Sequence, residues 1–125
     1  MRDIKNRADI ELLVNKFYEK AINDELIGVF FTEVMKLNFD HHIPLIVDFW
    51  ETTLLKEQKY KGNPMIKHIE LSRKKKMTKE HFDKWLALWE STVNQNFAGV
   101  LANEAIKRSK MIADLMLYKI DMAHE

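Results

Sequence analysis

The sequence predicts an all-α fold, and three observations carry that expectation. Only three glycines and two prolines punctuate 125 residues, too few for the many tight turns of an all-β chain. Apolar residues recur at spacings of three and four, as in Ile10, Leu13, Val14, Phe17, Ala21 and Ile22, which is the period of one helix face and not of a strand. Residue types that cap helices, Asn38 or Asp40, Asn63 and Thr78, stand ahead of such stretches.

The first helix covers Ile10 to Ile22 and breaks at Asp24 and Gly28. A short helix through Phe30, Phe31 and Val34 follows. The next carries Ile43, Ile46, Val47, Trp50 and Leu54, and starts near Asn38 or Asp40. Pro44 then belongs to its first turn, where a missing N–H matters least. Lys56 to Gly62 reads as loop. Asn63 caps a short helix with Pro64 at its first position and His68 on it. Arg73-Lys74-Lys75-Lys76 is a basic loop. Thr78 caps a long helix with Phe82, Trp85, Leu86, Trp89, Val93 and Phe97, and a last helix spans about Ala102 to Ala123.

A chain of 125 residues forms one domain, 1–125, with a single core. There is no internal repeat and no linker. The net charge is +1, which argues against nucleic acid or an anionic membrane as a partner. No cysteine is present, so disulfides, thiolate nucleophiles and Cys-ligated metal centres are excluded. No apolar signal core and no spanning run is visible, and a cytoplasmic protein is expected. Ser72, Ser91 and Ser109 have no nucleophile motif around them.

His68 is the most informative residue. It lies on a short helix with aromatic pairs upstream, Phe17-Tyr18, Phe30-Phe31 and Phe49-Trp50, and with Trp85 and Trp89 downstream. A bundle built from propensity alone needs no short helix with one histidine at its middle. One imidazole, an aromatic-rich pocket and polar donors on the opposite wall are what a haem site requires.

Phe17-Tyr18-Glu19-Lys20, Phe49-Trp50, Asn63-Pro64 with Lys67-His68, and Phe82 with Lys84-Trp85-Leu86 stand in an order and spacing that resembles the third group of truncated haemoglobins, the small bacterial globins. The resemblance runs from Ile10 to Tyr118. The glycine-pair motifs of the other truncated groups are absent, which fits the third. It implies a globin-like two-over-two helical sandwich around haem b. It also implies roles. His68 is the proximal iron ligand, Tyr18 a distal donor, and Phe31 packs on the haem face. His42, eight residues before Trp50, is the distal histidine, and Ile46 lines the distal wall. Trp85 supplies an indole N–H. Phe49 and Trp50 serve core and pocket together, and Met111, Ile112 and Leu115 fit contacts on the haem floor and helix packing equally well. Pro44, two residues after His42, predicts a helix that starts late or kinks and turns the imidazole away. His41 competes for the same role.

The implied function is binding of O2, NO or CO at the iron. Buried donors stabilise charge that builds on O2. Each charge-assisted bond contributes about 1.5–3 kcal/mol, so two slow release by roughly a hundredfold or more. Such retention suits redox or ligand chemistry, with NO dioxygenase or peroxidase-like activity as the enzymatic version and an external reductase as electron donor. A rival reading is a haem-free helical interaction or stress-sensor domain, its aromatics filling the core and His68 incidental. The basic loop Arg73 to Lys76 is either solvated or placed near a haem propionate.

Overall fold

The computed structural model describes residues 1–34, 39–56 and 77–123. The short helix expected to carry Asn63, Pro64 and His68, and the basic loop Arg73 to Lys76, lie outside the described residues.

Helix α1, Arg7–Ala21, starts at Asn6, whose side-chain oxygen accepts the N–H of Asp9 at 3.1 Å. Asp9 in its first turn and Lys20 in its last complement the helix dipole. Its buried face is Ile10, Leu13, Val14, Phe17, Tyr18 and Ala21, the stripe that the three-and-four spacing predicts. The chain then turns at Asp24, whose carboxylate accepts the N–H groups of Leu26 at 3.0 Å and Ile27 at 3.3 Å. Gly28 passes so close to the end of α1 that a Cβ there would sit 2.6 Å from the carbonyl oxygen of Ile22.

A π-helical turn, Phe30–Val34, follows. Its successive rings diverge, so Phe30 and Phe31 are both buried but belong to different apolar clusters. Helix α2 spans Phe39–Leu55. It contains Pro44 at its sixth residue, one turn deeper than expected. The proline has no N–H to donate to the carbonyl of Asp40, but its ring is exposed and the helix continues. Lys56, with φ +59, closes α2 in the left-handed region.

Helix α3 spans Lys79–Asn96 behind Thr78, whose N–H donates to Nδ1 of His81 at 2.9 Å. Helix α4 spans Val100–Ala123, two residues longer at its start than its own sequence suggests. The cause lies at the far end of the chain. The Asp3 carboxylate accepts the N–H groups of Leu101 at 2.9 Å and Ala102 at 2.8 Å. Two of the donors that open every helix N-terminus are thereby satisfied.

The helices pack in the two-over-two arrangement, with α1 on α2 and α3 on α4, and with α1 also against α3 and α2 against α4. Arg7 ties the first pair through Asp48 at 2.7 Å and the buried Glu51 at 2.9 Å. One apolar cluster gathers α1, α2 and the middle of α3. The other joins Phe30, Met77 and Phe82 to Ala113, Met116 and Ile120 of α4, and Trp85 packs against both. No described helix is long and apolar enough to cross a membrane.

Candidate functional site

Aromatic rings organise the interior between the helix pairs. Trp85 of α3 lies between Phe17 of α1, with centroids 6.3 Å apart, and Phe82 one turn earlier, at 6.1 Å, both rings nearly parallel to it. Trp50 of α2 stacks on Trp89 of α3 at 4.9 Å. The Trp89 indole N–H donates to the carbonyl of Ala105 at 3.2 Å, which locks α3 to α4. Stacked large rings on three helices leave a cleft whose walls cannot collapse without breaking several ring contacts at once.

All four described α-helices line that cleft. Val14, Phe17 and Tyr18 come from α1, and Ile46, Phe49 and Trp50 from α2. Phe82, Trp85, Leu86 and Trp89 come from α3, and Ser109, Ile112, Ala113 and Met116 from α4. Among the described lining residues, polar side-chain atoms are confined to Tyr18, Ser109 and the indole nitrogens.

Tyr18 is the polar centre of the α1 wall. It is buried, and its hydroxyl lies 2.8 Å from Nε2 of His42 on α2. The two rings meet edge to face at 5.5 Å. Burial pushes the Tyr18 phenol well above its ordinary range, so it stays protonated and keeps its O–H at every physiological pH. Two arrangements satisfy the contact. The hydroxyl donates to an unprotonated Nε2, or an Nε2–H donates to the phenol oxygen and leaves the Tyr18 O–H to point elsewhere. Two residues ahead of Pro44, the His42 imidazole thus turns toward α1 and meets Tyr18. His41 is exposed and points off the neighbouring face, as adjacent helical residues must.

Phe31 backs this pair. It is buried, with its ring 5.4 Å from Tyr18 and 6.3 Å from Trp85, edge to face in both cases. Tyr18, Ile46, Phe49, Trp50 and Trp85 thus line the cleft, while His42 and Phe31 stand behind that wall in contact with Tyr18. Met111 and Leu115 are not among its walls. Both are exposed on the outer side of α4, and the floor is made by Ile112, Ala113 and Met116 instead. One residue along a helix is a rotation of about 100°, and α4 turns Ile112 inward. His68 lies outside the described residues. Among the described residues no group of three or more His, Asp or Glu side chains is arranged to hold a metal ion.

Several lining residues went unassigned from sequence: Val14, Leu86, Trp89, Ala113 and Met116. The signal for the α3 members was present, since Phe82, Trp85, Leu86 and Trp89 follow one helix face. Apolar residues at that spacing read equally well as core.

No family model matches the chain. Among curated proteins it is similar to the group 3 truncated haemoglobin ctb of Campylobacter jejuni, 32% identical over 120 residues that cover 91% of this chain and 92% of the relative. Among solved structures it is similar to the crystal structure of the group III truncated haemoglobin from Campylobacter jejuni, at TM-score 0.85 and 29% identity, covering 96% of this chain and 95% of that one. Sequence and fold agree over almost the full length of both chains: the protein belongs to the group III truncated haemoglobins.

Proposed function

We propose that this protein holds haem b in the inter-helix cleft and binds O2 and other diatomic ligands there, with His68 as the proximal ligand and Tyr18, His42 and Trp85 on the ligand side. The observation that carries the reading is Tyr18, whose hydroxyl lies 2.8 Å from Nε2 of His42, in the wall of a cleft whose described lining is otherwise largely apolar and ring-walled.

The lining fits the group. A macrocycle needs flat apolar contact on both faces, and Phe82, Leu86, Ile112 and Met116 offer it from α3 and α4. It needs few competing donors around it, and the described lining has few. When bound, haem supplies an iron centre that takes a diatomic ligand and exchanges electrons.

The side chains of this chain do the rest. Tyr18 presents a hydroxyl that burial keeps protonated. His42 decides where that hydroxyl points. If Nε2 carries a proton, His42 donates to the phenol oxygen and Tyr18 is released to donate into the cleft. If Nε2 is bare, it accepts the Tyr18 O–H and the cleft loses a donor. Phe31 and Phe17 pack on Tyr18 edge to face at 5.4 and 5.3 Å and hold the phenol in place. Trp85 offers an indole N–H from α3, its ring fixed between Phe17 and Phe82. Apolar walls exclude water and strengthen each donor.

Donors of this kind retain a ligand that gains negative charge, so slow O2 release and ligand or redox chemistry fit better than bulk transport. Turnover, whether of nitric oxide to nitrate or of peroxide, then requires an external reductant. One protein stretch, residues 1–125, acts as a single domain in this reading.

The test is the visible absorption spectrum, oxidised and then dithionite-reduced, of the wild type beside His68→Ala. An intense Soret band in the wild type, lost or displaced in the variant, is the expected result. A folded protein that stays colourless after haemin is added would make the chain a haem-free helical interaction domain.

A further inference from the structure

We infer that the outer face of α4 is a self-association surface that pairs two copies of this chain in parallel about a two-fold axis. The inference is independent of haem binding, because it concerns the side of α4 that turns away from the cleft.

A helix with one face on the core ordinarily shows water a polar opposite face. Helix α4 does not. Its buried side carries Ala102, Ala105, Ala113, Met116 and Ile120. At about 100° per residue, the diametrically opposite side carries Met111, Leu115, Tyr118 and Met122. These are exposed by 54%, 47%, 61% and 53%. Single exposed apolar residues are ordinary on a protein surface, but a continuous row of four is not. The row steps by four, three and four residues, the alternation of a two-helix seam.

Charge selects the occupant and the direction. Asp114 and Asp121 stand on one shoulder of the row and Lys119 on the other, all three exposed. In a parallel pair each helix sets its acidic shoulder against the basic shoulder of its copy. Asp114 then meets Lys119 of the second copy five residues on, the register at which parallel two-helix seams form ion pairs. In an antiparallel pair the same shoulders face each other, and Asp114 meets an aspartate. The helix is thus complementary to itself in one orientation. Lys107 and Glu104 take over this face towards the N-terminus, so the apolar seam runs from Met111 to Met122, about 17 Å at 1.5 Å per residue. A seam three turns long covers less than the roughly 800 Å² per partner of a standard interface. The association is therefore weak and concentration-dependent.

Sedimentation equilibrium of the full chain, over micromolar to millimolar concentration, tests this with the visible spectrum and circular dichroism recorded on the same samples. The wild type is expected to show a monomer–dimer equilibrium. Leu115→Asp should weaken it roughly tenfold or more while helix content and spectrum stay at wild-type values, since Leu115 is not part of the cleft wall. Asp114→Lys alone should weaken it, and Asp114→Lys with Lys119→Asp should restore it. A wild type that stays monomeric throughout, or a dimer that Leu115→Asp leaves intact, would overturn the inference. So would a swapped double variant that fails to recover, or a monomer that uses the row to bind neutral lipid vesicles.

Discussion

The hydroxyl of Tyr18 on α1 meets Nε2 of His42 on α2 at 2.8 Å, across twenty-four residues of chain. The contact joins a group that burial holds in its protonated form to an imidazole nitrogen that donates or accepts according to its tautomer. It makes the direction of the Tyr18 O–H depend on the tautomer of a neighbour. A phenylalanine at either position would fill the same space and remove that dependence.

Tyr18→Phe and Trp85→Phe should each raise the O2 dissociation rate by about tenfold or more, the worth of one charge-assisted hydrogen bond. Carbon monoxide carries less charge and should change much less. Stopped-flow ligand replacement measures both rates. His42→Leu should shift O2 release as well, because it frees or reorients Tyr18, whereas His41→Leu should leave both rates at wild-type values. Unchanged O2 rates in both aromatic variants would remove Tyr18 and Trp85 from the ligand side.

Asp3 caps α4 from the other end of the chain, and this makes stability fall in acid. Desolvation alone would raise its pKa. The N–H groups of Leu101, Ala102, Ile4 and Val100 together outweigh it and hold the carboxyl below its ordinary value of 3.8. A carboxyl depressed in the fold contributes fully above the unfolded value and loses that contribution as pH falls through the lower folded value. Asp9 behaves the same way. Burial acts to raise it, and Arg2 with the backbone of Lys5 and Asn6 holds it down. Asp3→Ala should lower stability by about 1 kcal/mol at neutral pH. Its stability should also decline less steeply below about pH 4 than that of the wild type. Urea titrations between pH 7 and pH 3 measure both, and an acid limb identical to wild type would exclude the cap as a cause.

Gly99, the link between α3 and α4, has φ +140. A Cβ there would lie 2.5 Å from Cγ of Asp3 and 2.7 Å from its Cβ and Oδ2. Gly99→Ala should destabilise by more than about 1 kcal/mol, combining an unfavourable backbone region with displacement of the cap. The loss should shrink in an Asp3→Ala background, where the contacts with Cγ and Oδ2 are gone and the backbone part and the Cβ contact survive. A double-mutant cycle by denaturant midpoint measures the coupling, and additive losses would show that Gly99 and Asp3 act independently.

Arg7 binds Asp48 and Glu51 of α2 from the first turn of α1. Glu51 is only 5% exposed, so Arg7→Gln leaves a buried carboxylate without its cation. The loss should be about 1–2 kcal/mol, kept below the range of a fully buried pair because the Arg7 side chain is itself 38% exposed. Replacing Glu51 by Gln in the same background should recover part of it. Thermal melts of the two variants measure the effect, and an Arg7→Gln protein as stable as wild type would show that water satisfies Glu51.

By itself, the sequence determined the helices and most of their faces. Backbone preference and apolar spacing act over a few residues, so the stripe of α1, the Thr78 start of α3 and the helix α2 around Val47, Trp50 and Leu54 were legible one segment at a time. The resemblance carried by Phe17-Tyr18, Phe49-Trp50 and Trp85 pointed to the family and to the aromatic end of the cleft. Tertiary structure decided what depends on partners distant in sequence. The rotation of α4 is one case, since Met111 and Ile112 are equally apolar and only packing against α3 sends Ile112 inward and leaves Met111 outside. The start of α4 is another, set by a carboxylate ninety-eight residues before Leu101. His42 is the third, because Pro44 speaks against that helix locally, whereas the contact with Tyr18 and the packing of α2 on α1 hold it.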